Sequence, residues 1–83
     1  MNAVQLKTLE WLVDGVGDIT IGTVGPCRYA ATACDEDSML ASLTHRDGES
    51  LLDLLSRLEK AVNLAYDEEI YIDEINNGPN YQL

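Results

Sequence analysis

Residues 50–66 allow one local structure. Ser50 and Asp53 stand at the spacing of a capping box, and Leu51, Leu55, Leu58, Val62 and Ala65 follow at i, i+4, i+7, i+11 and i+14. Only a helix collects those positions on one side, and Leu52 and Leu54 widen the stripe. The preceding Asp47-Gly48-Glu49-Ser50 complements the positive end of the helix dipole and supplies acceptors for first-turn N–H groups. An apolar stripe of this kind has to be covered by a second layer of structure. A chain of 83 residues has room for one core, and therefore for one such layer.

Between Val16 and Arg46 the texture is that of a sheet. β-Branched residues and short alternations are broken at Gly17-Asp18, Gly25-Pro26 and Asp35-Glu36-Asp37-Ser38. These breaks delimit three strands. In 19–24, Ile19, Ile21 and Thr23 share a face, with Gly22 a weak point. In Cys27–Cys34, Tyr29, Ala31 and Ala33 alternate with Arg28, Ala30, Thr32 and Cys34. In 39–45, Met39, Ala41 and Leu43 oppose Leu40, Ser42 and Thr44. The short acidic turn between the second and third strands predicts a hairpin, and the alanines predict an element packed close over the second strand.

Residues 2–14 carry Leu6, Leu9 and Val13 at helical spacing, with Val4 and Leu12 on the flank, Asn2 as a cap and Gly15 as a stop. Ile70-Tyr71-Ile72 predicts a last short strand before Asn77-Gly78-Pro79. The order α-β-β-β-α, with that possible C-terminal strand, predicts a two-layer α+β domain: an antiparallel sheet covered on one face by two helices. It predicts one compact domain over 1–76 and a loose tail over 77–83. Double-stranded-RNA-binding domains share this element order and hold phosphates with a basic cluster at the start of their second helix. The corresponding segment here is Gly48-Glu49-Ser50-Leu51-Leu52-Asp53, so the resemblance is one of element order and the RNA-binding surface is missing.

Fifteen acids stand against five Lys and Arg, a net charge of −10. Free nucleic acid is therefore excluded as an expected ligand, since that affinity comes from cations displacing counterions. Yet 46% of residues are hydrophobic, far too many for a disordered acidic tail. Met1 to Lys7 contain no basic leader followed by an apolar stretch, and no apolar run approaches the roughly 20 residues that cross a bilayer. The expectation is a cytoplasmic protein without membrane contact, in the host cytoplasm if phage-encoded, with Cys27 and Cys34 as free thiols.

Chemistry finds little support. Cys27-x₆-Cys34 with the single histidine His45 lacks the close pairs of a zinc site, so no metal or other cofactor is expected. His45 is the only base that titrates near neutrality, and its place next to Arg46 in a loop reads as solvated. Paired carboxylates are abundant, but a chain this small leaves little room for a substrate cleft. Gly15-x-Gly17 precedes a strand where a phosphate loop would precede a helix. No enzyme is expected.

The charge map is the informative feature. Residues 1–60 hold ten acids and five bases, whereas residues 61–83 hold five acids and no base. Asp67, Glu68, Glu69, Asp73 and Glu74 bracket Ile70-Tyr71-Ile72, and Asp35, Glu36 and Asp37 form a second knot. This arrangement suits a protein partner with a basic surface, Tyr71, Tyr66 or Tyr81 serving as anchor. The same acids also fit ordinary solvated turns that confer solubility. Rigidly held carboxylates at 67, 69 and 73 would stand in for phosphates.

In profile the chain resembles the small acidic inhibitors that bacteriophages direct against host defence, anti-CRISPR proteins among them: one α+β domain, no catalytic motif, strong negative charge. Residues 48–59, followed by Ala61, Ala65 and Asp73-Glu74-Ile75-Asn76, also resemble small uncharacterised proteins of proteobacteria and their mobile elements. The first resemblance implies a non-enzymatic inhibitor, monomer or homodimer, that occludes a basic site on a CRISPR effector subunit or another nucleic-acid-handling protein. Asp67, Glu68, Glu69, Tyr71, Asp73 and Glu74 are its expected contacts, with Asp35, Glu36 and Asp37 second; reversing the C-terminal acids should abolish binding without unfolding. The competing expectation is a self-associating structural module using Trp11, Leu54 and the outer side of the third strand, in which the acids only keep the protein soluble.

Overall fold

The computed structural model describes residues 5–76. Its elements are α1 (Lys7–Asp14), β1 (Asp18–Val24), β2 (Cys27–Cys34), β3 (Met39–Thr44), α2 (Leu51–Glu68) and β4 (Ile72–Asp73). They form the expected α+β arrangement. The sheet order is β1-β2-β3-β4, and the helices pack on the face that carries Ala31, Ala33, Ala41 and Leu43. The predicted tail 77–83, Tyr81 within it, and the Asn2 cap lie outside the described residues.

β1, β2 and β3 are antiparallel, with Ile19 opposite Ala33 and Ala31 opposite Leu43. β4 departs from an all-antiparallel sheet: it runs parallel to β3, with Ala41 beside Ile72. The reason lies in α2. The helix leaves the end of β3 and runs back along it, so the chain emerges near the start of β3 and can only pass beside it in the same direction. Ile70 and Tyr71, expected in the strand, instead span the turn. Glu69 closes the helix in the left-handed conformation (φ 57°), and the Ile70 N–H bonds to the Leu64 carbonyl at 3.2 Å. Pairing begins only at Ile72.

The capping box of α2 is present as expected: Ser50 Oγ accepts from the Asp53 N–H at 3.0 Å, and the Ser50 N–H donates back to Asp53 at 3.4 Å. The buried stripe is rotated from the expected one. It comprises Leu54, Leu58, Ala61, Val62 and Ala65, while Leu51 in the first turn is exposed and Leu55 lies part-buried. Small side chains face each other across this contact, Ala61 and Ala65 on the helix and Ala31, Ala33 and Ala41 on the sheet, so the two layers can approach closely. Burying Leu54, Leu58 and Val62 contributes about 1.5–3 kcal/mol each. Leu40 also joins this core, against the alternation of its strand, because a register shift between Ala33 and Cys34 reorients the start of β3.

The first helix begins at Lys7, later than its apolar spacing predicts, and buries Leu9 and Leu12 while leaving Val13 exposed. Its start is capped from another element. The Glu59 carboxylate of α2 accepts from Thr8 N–H and Leu9 N–H, both at 2.9 Å, and Asn63 accepts the Thr8 hydroxyl at 2.6 Å. Satisfying first-turn donors across the helix pair defines where α1 starts and docks it on α2. Gly17 then brings the chain to the sheet. A Cβ there would collide with Leu12 and stand 2.8 Å from the Cys34 carbonyl oxygen.

Candidate protein-binding surface

The connectivity collects one end of each long element. α1 finishes where β1 starts, β1 starts opposite the end of β2, and α2 finishes beside the β2–β3 turn. Asp14, Asp18, Asp35, Glu36, Asp37, Asp67, Glu68 and Glu69 therefore belong to the same end of the domain. The two acidic knots, about thirty positions apart in sequence, are joined directly: Tyr66 donates its hydroxyl to Asp35 Oδ2 at 3.3 Å.

Asp35 organises this end. Its Oδ1 accepts the N–H groups of Asp37 and Ser38 at 2.9 and 2.8 Å, closing the hairpin turn as an Asx motif. Those two backbone donors hold its carboxyl below the usual carboxylate range. Glu36 and Asp37 are left pointing into solvent, as are Asp67, Glu68 and Glu69. Apolar side chains lie among them. Trp11 is 63% exposed and meets Tyr66, 43% exposed, edge to face with centroids 5.6 Å apart and ring planes at 84°. Leu12, Gly15 and Val16 complete a cleft of about 150 Å³ with these rings. Met39, at the start of β3, and Ile70 and Tyr71, in the turn after α2, are exposed as well.

Neither helix has a basic residue in its last turn. Both direct the negative ends of their dipoles at this end of the molecule, where acids already stand. Acids at a helix C-terminus oppose the dipole and cost about 0.3–1 kcal/mol each. The five bases are elsewhere: Lys7 starts α1, Arg28 starts β2, Arg46 and Arg57 flank the start of α2, and Lys60 is in its middle.

The expected contact residues thus fall into two groups. Asp67, Glu68, Glu69 and Tyr71 are free at the surface with Glu36 and Asp37, whereas Asp73 and Glu74 are engaged by the fold. Asp73 Oδ1 accepts from Ser42 Oγ at 2.7 Å and from the Asn76 N–H at 3.1 Å, and the Ser42 bond leads in holding its carboxyl below the usual range. Glu74 accepts from the Thr44 N–H at 3.0 Å and pairs with Arg57 and Arg46 at 3.1 and 3.3 Å. Lysine at these two positions would strip the fold of its bonds; the surface proper excludes them.

The other chemistry-bearing residues are structural in their contacts. His45 stacks on Tyr29 with centroids 4.0 Å apart and its Nε2 meets the Glu49 carbonyl, which fixes that nitrogen as the donor. Cys27 and Cys34 are free thiols at opposite ends of β2, about 23 Å apart by strand rise, beyond disulfide reach. Burial, reinforced by Asp18 and Asp35, raises the Cys34 thiol above its usual value. Among the described residues, no three His, Cys, Asp or Glu side chains converge as a metal site would require, and no helix is long and apolar enough to cross a membrane.

Sequence reasoning did not bring Trp11 into the acidic surface. The signal is there in outline: a large aromatic lies off the Leu9–Leu12 face, and acids occupy the C-terminal turns of both helices. No family model, curated protein or solved structure matches the chain.

Proposed function

We propose that this is a non-enzymatic acidic binding protein that occludes a basic site on a nucleic-acid-handling protein, as a phage-type inhibitor of host defence of the anti-CRISPR kind. The observation that carries the reading is the convergence of eight carboxylates and two helix C-termini around exposed Trp11 and Tyr66, with Lys60, two turns back on α2, the one base bordering Asp67 and Glu68 among the described residues. An aromatic centre with a charged rim is the anatomy of a protein interface, and the sign of the rim selects a partner rich in Lys and Arg. Because Asp14, Asp67, Glu68 and Glu69 oppose the helix dipoles, folding stability does not account for those four. The self-association reading loses much of its surface, since Leu54, Leu40 and Ser42 are buried.

The test is competition. A panel of purified CRISPR effector complexes is titrated with target DNA in the presence of the wild type or of a variant carrying Glu36→Lys, Asp37→Lys, Asp67→Lys and Glu68→Lys. The wild type is expected to displace DNA from one member of the panel. The variant, folded by circular dichroism, should lose that ability by at least about tenfold. A wild type that displaces DNA from none of them, at low or moderate salt, removes the anti-CRISPR form of the reading; equal competition by the variant removes the acidic end from the interface.

A further inference from the structure

We propose that the cleft bordered by Trp11, Tyr66 and the end of α1 receives the guanidinium of an arginine on the basic partner. The proposal rests on reading the acidic end as a protein-binding surface and gives that surface a specificity pocket.

The cleft has the shape for it. About 150 Å³ equals the liquid volume of about five waters, enough for a planar guanidinium and its adjoining methylenes. Leu12, Gly15 and Val16 supply the apolar lining for those methylenes. The rings touch edge to face at 84°, so a flat cation lies in the corner they form with Leu12, Gly15 and Val16, against open ring surface. Trp is the strongest cation–π partner among the side chains, and Arg can both stack and donate hydrogen bonds in its own plane.

The surroundings favour a cation over a neutral apolar group. Tyr66 spends its proton on Asp35, which leaves the phenolic oxygen lone pairs as acceptors for a guanidinium N–H. Burial, with Asp35 behind it, raises the phenol above its usual value, so the hydroxyl stays protonated and holds that orientation. Trp11 and Gly15 belong to the last turn of α1 and its cap, where the dipole is negative and no base neutralises it. Arginine is preferred to lysine because an ammonium is compact, strongly hydrated and unable to stack.

Trp11 is the only tryptophan, so its fluorescence reports on the cleft directly. Oligo-arginine and oligo-lysine peptides of equal length serve as probes of equal charge, titrated into the wild type, Tyr66→Leu and the four-lysine variant. Trp11→Leu is followed by calorimetry. The arginine peptide should quench Trp11 and bind about tenfold more tightly than the lysine peptide. Tyr66→Leu and Trp11→Leu should erase that preference, each variant binding the arginine peptide no more tightly than it binds the lysine peptide. Equal affinity of the wild type for both peptides, or a preference that survives both aromatic substitutions, overturns the cleft assignment. The four-lysine variant separates this from the broader reading: if it weakens both peptides while no arginine preference exists, the acidic surface stands without the pocket, and if it weakens neither, both fall.

Discussion

Arg57 presents Nε and Nη2 to the two carboxylate oxygens of Glu49, at 2.6 and 3.0 Å, while its Nη1 reaches Glu74 at 3.1 Å. One guanidinium thereby ties the loop before α2 to the segment after β4, and its remaining Nη2 contact, 2.8 Å to the Thr44 carbonyl, adds the end of β3. Arg57→Ala would leave two part-buried carboxylates facing one another with only exposed Arg46 to compensate. A loss of about 2–3 kcal/mol in urea unfolding is expected, with Arg57→Lys recovering less than half because an ammonium cannot bridge bidentately.

Stability should also fall in acid over a defined window. Hydrogen bonding from Arg57 holds the Glu49 carboxyl down from 4.5 to about 2, and Asp73 is lowered by its Ser42 bond. Carboxyls with depressed folded-state values contribute stability that is complete above their unfolded-state range and disappears as pH falls through the folded value. The melting temperature should therefore hold steady down to the ordinary carboxylate range and decline from there towards pH 2. Glu49→Gln should be less stable at neutral pH and show a shallower acid decline, measured by thermal melts across that range.

Gly17→Ala is predicted to be among the most damaging small substitutions. Its methyl group would strike the Leu12 side chain, which is 1% exposed, and the Cys34 carbonyl. Relief requires lifting the end of α1 from the sheet, a cost of about 1–3 kcal/mol or more. Calorimetry should show a melting temperature several degrees lower; an unchanged value would mean that Leu12 repacks freely.

Glu69 offers the opposite case. It holds a left-handed conformation that glycine adopts without steric penalty. Glu69→Gly should stabilise the domain, by up to about 1 kcal/mol, while weakening binding to a basic partner at low salt. Gain in one assay and loss in the other would identify a residue kept at the expense of folding.

What was legible in the sequence was local. Gly25-Pro26 and the Asp35 turn mark strand ends by chemistry within a few residues, and Ser50-x-x-Asp53 marks the start of α2 the same way. The start of α1 was not legible, because its cap is Glu59, fifty positions away in the chain. Nor could spacing alone choose between Leu51 and Leu54, since both fit a stripe and only the docking of α2 on β3 decides. The acids of 67–74 read as one cluster; the left-handed turn at Glu69 divides them, sending Asp73 and Glu74 into the fold's own bonds. The convergence of Asp35 with Tyr66 requires the return path of α2, which no local signal carries.

The segregation of charge has a kinetic meaning. The molecule measures 35 Å along its longest axis, several times the roughly 8 Å over which physiological salt screens a charge. A basic surface approaching the acidic end would respond mainly to that end, and Arg46 and Arg57, already paired with Glu49 and Glu74 at the other end, would not cancel the attraction. On the proposed reading the domain would turn its acidic end forward before contact. Added salt should slow encounter steeply while scarcely changing the lifetime of the complex once formed.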